Sequence, residues 1–312
     1  MPIRLGRFFY PFYVREKNMK KKNKKNATTL AQQITRLRVR NFDIPSDNEE
    51  LVKEFLSNIG YYRASGYYLP YYDRKLEMTP QKISYQKIMD TYWFDKEIKS
   101  ILLYLMASIE VEYKARIADT LCLKYGPYFF YDASYFSDNQ LHKKWIRKFE
   151  DQFNYQDSND DLFKSWYKKE YNSKFPLWVA FQLININDLS KFYDLLKTPY
   201  KKELRNSLRG NDIDLTRSWL RSMTVVRNIC AHNGRLFYRS ISTSPKLPKD
   251  LKKEKLNIKR PFVIIVVMKR LCTDKKVWDR FLNDLIDIIV KYPEVEIFHY
   301  GFPNNWYDIL NK

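Results

Sequence analysis

The stretch VRNICAHNGRLFYR at residues 226–239 sets one of the chain's three histidines among three arginines. Imidazole exchanges protons near neutral pH, and a guanidinium grips phosphate oxygens through a planar fork of donors. The combination suits proton transfer at a phosphate ester, with cations set against the developing charge. On a helix advancing 100° per residue, Trp219, Met223, Val226 and Cys230 form one apolar stripe. Arg221, Asn228 and His232 gather on the opposite side, and Arg227 lies on the flank. That outer face carries cations, an amide and an imidazole, with no acid. Arg235 and Arg239 join it if the helix continues past Gly234; otherwise they begin the next segment nearby. On these residues alone two readings stay open, a phosphate site or a basic exposed helix end with a solvated histidine.

A helix over about residues 216–232 must carry this face, and helical spacing dominates the rest of the chain. Thr29 and Gln32 form a capping box, followed by Leu30, Ile34 and Leu37. Ser46 and Glu49 form a second box ahead of Leu51, Phe55 and Ile59, with Gly60 as the stop. The pattern over 85–125 predicts one long helix through Ile88, Tyr92, Ile98, Leu102, Leu105, Ile109 and Ile117, broken at Gly126 and Pro127. FPLW at 175–178 opens another through about Leu189, and two more are expected over 261–272 and 277–290. Strand alternation is scarce. The expected fold class is all-α, a helical bundle behind a basic arm (1–27). Residues 28–84 form an N-terminal helical subdomain. The main helical domain covers 85–290, with an insertion around 130–175, and 291–312 form a tail.

Charge is the strongest compositional signal. Lys and Arg number 56 against 36 Asp and Glu, a net +20. Such a field favours nucleic acid or another anionic surface. The arm, which includes Lys21, Lys22, Lys24 and Lys25, reads either as RNA-binding or as a solubilising tail. GYYRASGYYLPYYDR at 60–74 interleaves tyrosines with Arg63 and Arg74. Those rings could stack single-stranded bases, or could pack the seam between the N-terminal helices and the rest. Glu110 and Arg116 are secondary site candidates, with a surface ion pair as the alternative.

Other chemistries lack their residues. There are seven glycines and no GxGxxG or P-loop spacing, which argues against a nucleotide enzyme. No HxxxH, HExxH or CxxC occurs, so neither metal nor cofactor is expected. Mean hydropathy is −0.57 and the apolar runs are short, which argues against a membrane span. Cys122, Cys230 and Cys272 lie far apart, as in a protein of a reducing, cytoplasmic compartment.

RNICAH at 227–232 matches the R-N-x-x-x-H form of the RxxxxH motif of HEPN-superfamily ribonucleases. The longer VRNICAHNGRLF resembles the Abi-like family of bacterial abortive-infection proteins, the AbiD/AbiF group. IGYYRASGYYLPY, YWFDKEIKSILLYLMASIEVEYKARIA, the PLW at 176–178 and GFPNNW at 301–306 are similar to that family in the same order. Gln182 departs from it where an acid is common, and NINDLS at 185–190 lacks the usual glycine. The resemblance implies a HEPN-type bundle and a metal-independent endoribonuclease toxin directed against phage-infected cells. It is also similar to the nuclease domains of type VI CRISPR effectors, and some members are restrained by a noncoding RNA. His232 would then be general base or acid, Arg227 the phosphate ligand and Asn228 an orienting group. Arg235, Arg239, Arg221, Arg63, Arg116 and the arm lysines would contact RNA. Acid and base are two roles for one imidazole, so two chains are expected to meet in a homodimer.

Overall fold

Apolar residues recur at helical period almost throughout, and over residues 85–125 they do so without a break. The computed structural model describes residues 26–154, 162–171 and 173–311, and it is all-α. Among the described residues the only sheet is one pair of two-residue strands. The arm lysines Lys21, Lys22, Lys24 and Lys25 lie outside the described residues.

The N-terminal part comprises α1 (Leu30–Val39), β1 (Phe42–Asp43), α2 (Glu49–Ile59), α3 (Tyr61–Ser65) and β2 (Ile83–Ser84). The Thr29 capping box forms: the Thr29 hydroxyl accepts from the Gln32 N–H, and the Gln32 amide oxygen accepts from the Thr29 N–H. The box expected at Ser46 does not. Residues Ser46–Asn48 wind a 3-10 turn, and Asn48 caps α2 without a side-chain hydrogen bond. Glu49 is drawn instead to Lys53 one turn on at 2.9 Å and, across the turn to α1, to Arg38 at 2.8 Å. β1 and β2 pair in parallel, Phe42 with Ile83, and tie the α1–α2 pair to the start of α4 (Tyr85–Tyr125).

α4 spans about 60 Å at 1.5 Å per residue. Ser84 caps its start and Gly126, at φ 85°, ends it; a residue with a Cβ would be strained in that left-handed conformation. Its buried positions, including Ile88, Ile98, Leu102, Leu105, Ile109, Tyr113 and Ile117, recur every three or four residues. The following elements are α5 (Asn139–Asn154), α6 (Leu162–Glu170), α7 (Leu177–Ala180), α8 (Ile186–Leu195), α9 (Thr198–Ser207) and α10 (Ile213–Ala231). α11 (Lys249–Lys252), α12 (Phe262–Leu271), α13 (Lys275–Lys291) and α14 (Trp306–Asn311) complete the chain. α13, α9 and α10 pack along α4, so the long helix is the spine of the bundle.

The single helix expected from FPLW to about Leu189 is two helices. Asn185 adopts an extended conformation and its side-chain oxygen accepts from the N–H groups of Asn187 and Asp188, which ends one helix and caps α8. Phe130, Phe136, Trp145, Phe149 and Phe175 are buried, as are Tyr300, Ile309 and Leu310 near the C-terminus, in one core with Ile34 and Leu37. Each such side chain contributes about 1.5–3 kcal/mol of burial. The three cysteines are free and buried, and burial pushes their thiols up, to about 11 at Cys122, about 12 at Cys230 and about 11 at Cys272.

Candidate functional site

α10 begins at Asp212, whose carboxylate accepts from the N–H groups of Asp214 and Leu215. Trp219, Met223, Val226 and Cys230 are all buried, so the apolar stripe faces the core. Arg221, Asn228 and His232 are exposed, and Arg227 is half-buried on the flank. His232 and Asn228 sit one turn apart on the same face. The Arg227 Nη1 donates to Asn228 Oδ1 at 3.3 Å.

The helix stops at Ala231, with His232 as its C-cap. Asn233 takes a left-handed conformation at φ 53°, the Asn233 N–H donates to Cys230 O at 3.1 Å and the Gly234 N–H donates to Ile229 O at 2.7 Å. This is a Schellman ending with asparagine in the left-handed position. A Cβ at Gly234 would stand 3.0 Å from the Ile229 carbonyl oxygen, which makes glycine the fitting residue there. The AHNG run thus fixes where His232 leaves the helix.

Because the helix ends, Arg235 and Arg239 do not continue the outer face. The Arg235 guanidinium turns inward and hydrogen-bonds the Gly66 carbonyl, while Arg239 Nη1 donates to Arg235 O at 3.4 Å. Burial draws both guanidinium pKa values below their ordinary level, and the nearby Asp95 carboxylate opposes that pull. Arg63 is brought to the site from α3: its Nη1 donates to Asn233 O at 2.8 Å, and beside it Tyr62 is 91% exposed. The other tyrosines of that stretch mostly pack. Tyr67 and Tyr68 are buried, and Arg40 donates to the hydroxyls of Tyr61 at 2.9 Å and Tyr68 at 3.2 Å.

Arg116 is elsewhere. It donates to Glu112 at 2.8 Å, Ser207 O at 3.1 Å and Thr273 Oγ1 at 2.9 Å, while Glu110 pairs with Lys114 at 2.7 Å. An ion pair does hold Arg116, but its partner is Glu112, on the turn that faces it, rather than Glu110. Along α4 it lies about 25 Å from Lys99, which reaches the end of the motif.

One further residue at the site carries a signal in the sequence. Asp95 falls on the apolar stripe of α4, between Tyr92 and Ile98, and is fully buried. An acid at such a position needs donors. It has them from four segments: Tyr67 Oη at 2.9 Å, Tyr300 Oη at 3.0 Å, the N–H groups of Leu236 at 3.1 Å and Phe237 at 2.8 Å, and Lys99 Nζ at 3.2 Å. Lys99 also donates to Gly234 O at 3.2 Å.

The family model of the Abi-like protein matches residues 54–238, more than half of the chain. The chain belongs to the Abi-like family. The matched span runs from α2 through α10 and the turn that follows it, and so holds Arg63, Asp95 and the whole 226–238 stretch. No curated protein and no solved structure matches. Membership in the Abi-like family points to abortive-infection defence and is compatible with a nuclease role. Among the described residues, no group of three or more His, Cys, Asp or Glu is placed to hold a metal ion. No helix among them is long and apolar enough to cross a membrane.

Proposed function

We propose that this Abi-like chain is a metal-independent endoribonuclease of HEPN type, the toxin of a bacterial anti-phage system. One observation carries the reading: Asn228 and His232 stand on the outer side of the last turn of α10 with Arg227 on its flank, while the inner side of that turn is packed into the core. RNA brings its own nucleophile. A base removes the 2′-OH proton, the 2′-oxygen attacks phosphorus, the P–O5′ bond breaks, and an acid protonates the leaving 5′-oxygen. The products are a 2′,3′-cyclic phosphate and a 5′-hydroxyl.

His232 takes one of the two proton-transfer roles. The carbonyl end of a helix is the wrong pole for a phosphate, so cations must hold the substrate there. Arg227 binds the scissile phosphate, and Asn228 orients the imidazole or the phosphate. Arg221, one face further down α10, Arg63 with exposed Tyr62, and the lysines of the arm track the flanking strand. One exposed imidazole fills one role, so two chains each present an α10 end to a composite homodimeric site. A bound noncoding RNA that keeps the two ends apart restrains the toxin.

The test is cleavage of an RNA oligonucleotide in EDTA by the purified full chain, with analysis of the new ends. His232→Ala should fold and lose both cleavage and toxicity. Full cleavage by that variant overturns the assignment. The hydrogen bond between Arg227 and Asn228, which turns these two groups toward each other, favours a second reading: a non-catalytic grip on a structured RNA. Tight RNA binding by a wild-type chain that never cuts would select it.

A further inference from the structure

We propose that Asp95 is the positioning residue of the His232 site. Its carboxylate clamps the Gly234–Phe237 turn and thereby sets where the end of α10 presents its imidazole. The role assigned to His232 rests on the nuclease reading above; the clamp itself does not.

His232 is exposed, and among the described residues no side-chain hydrogen bond fixes its ring. Its place is therefore set by the backbone on either side. On the N-terminal side lies α10. On the C-terminal side the chain leaves through Asn233 and Gly234 into residues 235–237. Polar contacts to one buried acid and its neighbour one turn on hold that exit, beside the hydrogen bonds of Arg63 to Asn233 O and Arg235 to Gly66 O and the burial of Leu236 and Phe237. The Asp95 carboxylate accepts from the Leu236 and Phe237 N–H groups, while Lys99 ties Gly234 O to the same carboxylate. The remaining acceptor capacity takes the hydroxyls of Tyr67 and Tyr300.

Those donors come from far apart in sequence. Tyr67 follows the N-terminal helices and Tyr300 lies in the last turn before α14, so the carboxylate joins segments from both sides of the bundle's sequence to the turn. The charges agree with a clamp. The Asp95 charge acts on both half-buried arginines of the turn, Arg235 and Arg239, and it also pairs with Lys99. Without it, three cations are left set against main-chain carbonyls only: Gly66 for Arg235, Arg235 O for Arg239 and Gly234 O for Lys99. A fully buried carboxylate with five donors has its oxygens saturated and does not reach substrate. It acts through the turn.

Asp95→Asn would present amide hydrogens to donors and is liable to unfold the chain. The decisive variants are Tyr67→Phe and Tyr300→Phe, alone and together, which remove hydroxyl donors but keep the rings. Three readouts apply to the full-length protein: melting temperature, amide hydrogen exchange at Leu236 and Phe237, and the imidazole NMR resonances of His232. Cleavage kinetics on an RNA oligonucleotide form the fourth. In the double variant, exchange at both amides should quicken and the His232 resonances should move. kcat should fall about 10-fold or more, the scale of small misplacements, while KM and RNA affinity hold. Amides as slow as in the wild type would overturn the clamp. Fast amides with unmoved His232 resonances, or with unchanged kcat, would reduce Asp95 to a core residue without a positioning role. If the wild type cuts no RNA, the nuclease reading fails by itself, and exchange with the His232 resonances still decides the clamp.

Discussion

At the scale of single residues, the site separates groups that can meet substrate from groups that hold the fold, although both are arginines. Arg221 faces outward from α10 and Arg227 lies half-buried on its flank, whereas Arg116 is held by Glu112, Ser207 O and Thr273. Replacing an exposed side chain leaves stability within about 0.5 kcal/mol. His232→Ala should therefore melt like the wild type and lose cleavage by about 100-fold or more, the usual worth of a general acid or base. Arg116→Ala should do the reverse: cleavage by the folded protein stays, and the urea midpoint falls by an amount equivalent to about 1 kcal/mol. A large activity loss in Arg116→Ala at intact stability would move that residue into the site. The helical-wheel reading of residues 219–232 needed only the period of the helix, because a buried stripe and an exposed face are opposite sides of one cylinder. The inward turn of Arg235 was not readable that way, since it depends on Gly66, whose missing side chain leaves the space that Arg235 Nε and Cδ approach.

At the scale of elements, caps decide what apolar spacing leaves ambiguous. The spacing on both sides of residue 185 fits one continuous helix, yet the Asn185 side chain satisfies the first free N–H groups of α8 and breaks the run. Asn185→Ala should cost about 1 kcal/mol of stability, read as a lower denaturation midpoint, with RNA cleavage unchanged. No change in the midpoint would mean that packing alone starts α8. α4 is the contrasting case. Its limits, Tyr85 and Tyr125, were legible from unbroken apolar spacing and the stop at Gly126 and Pro127, and Ser84 caps its start. The same physics ends α10: Asn233 and Gly234 close a Schellman motif that leaves His232 at the last helical carbonyls.

At the scale of the whole molecule, contacts between segments distant in sequence make stability depend on pH. His299, in the C-terminal segment, packs edge-on against Tyr71, Phe237 and Tyr238, and its Nε2 lies 3.1 Å from Glu296. Burial holds the His299 pKa below its ordinary 6.5, against the opposing pull of Glu296. The folded chain thus binds fewer protons here than the unfolded one. The stability tied to a neutral His299 is complete above 6.5 and is lost as pH falls below it. Glu296 behaves differently. Burial would raise its pKa, but hydrogen bonds from Lys87 and Tyr71 outweigh that and keep it below 4.5, so its contribution is lost only at lower pH. Urea midpoints measured from about pH 8 to about pH 5 should decline, and His299→Gln should flatten the decline. A decline that survives the substitution would assign it to other groups. Net charge sets a second dependence. With +20 on the chain, RNA affinity should fall steeply with salt. If a bound RNA keeps two α10 ends apart, stripping it in high salt should shift the light-scattering mass from monomer to dimer; an unchanged mass counts against that restraint.

The sequence by itself determined what is local and periodic. It specified the all-α class, the long helix α4, the exposed basic face of α10 with His232 at its end, and the Abi-like pattern that the family model matches over residues 54–238. Helical period, caps and motif spacing act within a few turns of chain, so they survive reading in one dimension. The tertiary structure decided which charged groups face inward and who meets them. Asp95 gathers Tyr67, Lys99, Leu236, Phe237 and Tyr300 from positions more than 200 residues apart. Only closure of the bundle around α4 brings those donors to one carboxylate, and a fully buried carboxylate is stable only once they have all arrived.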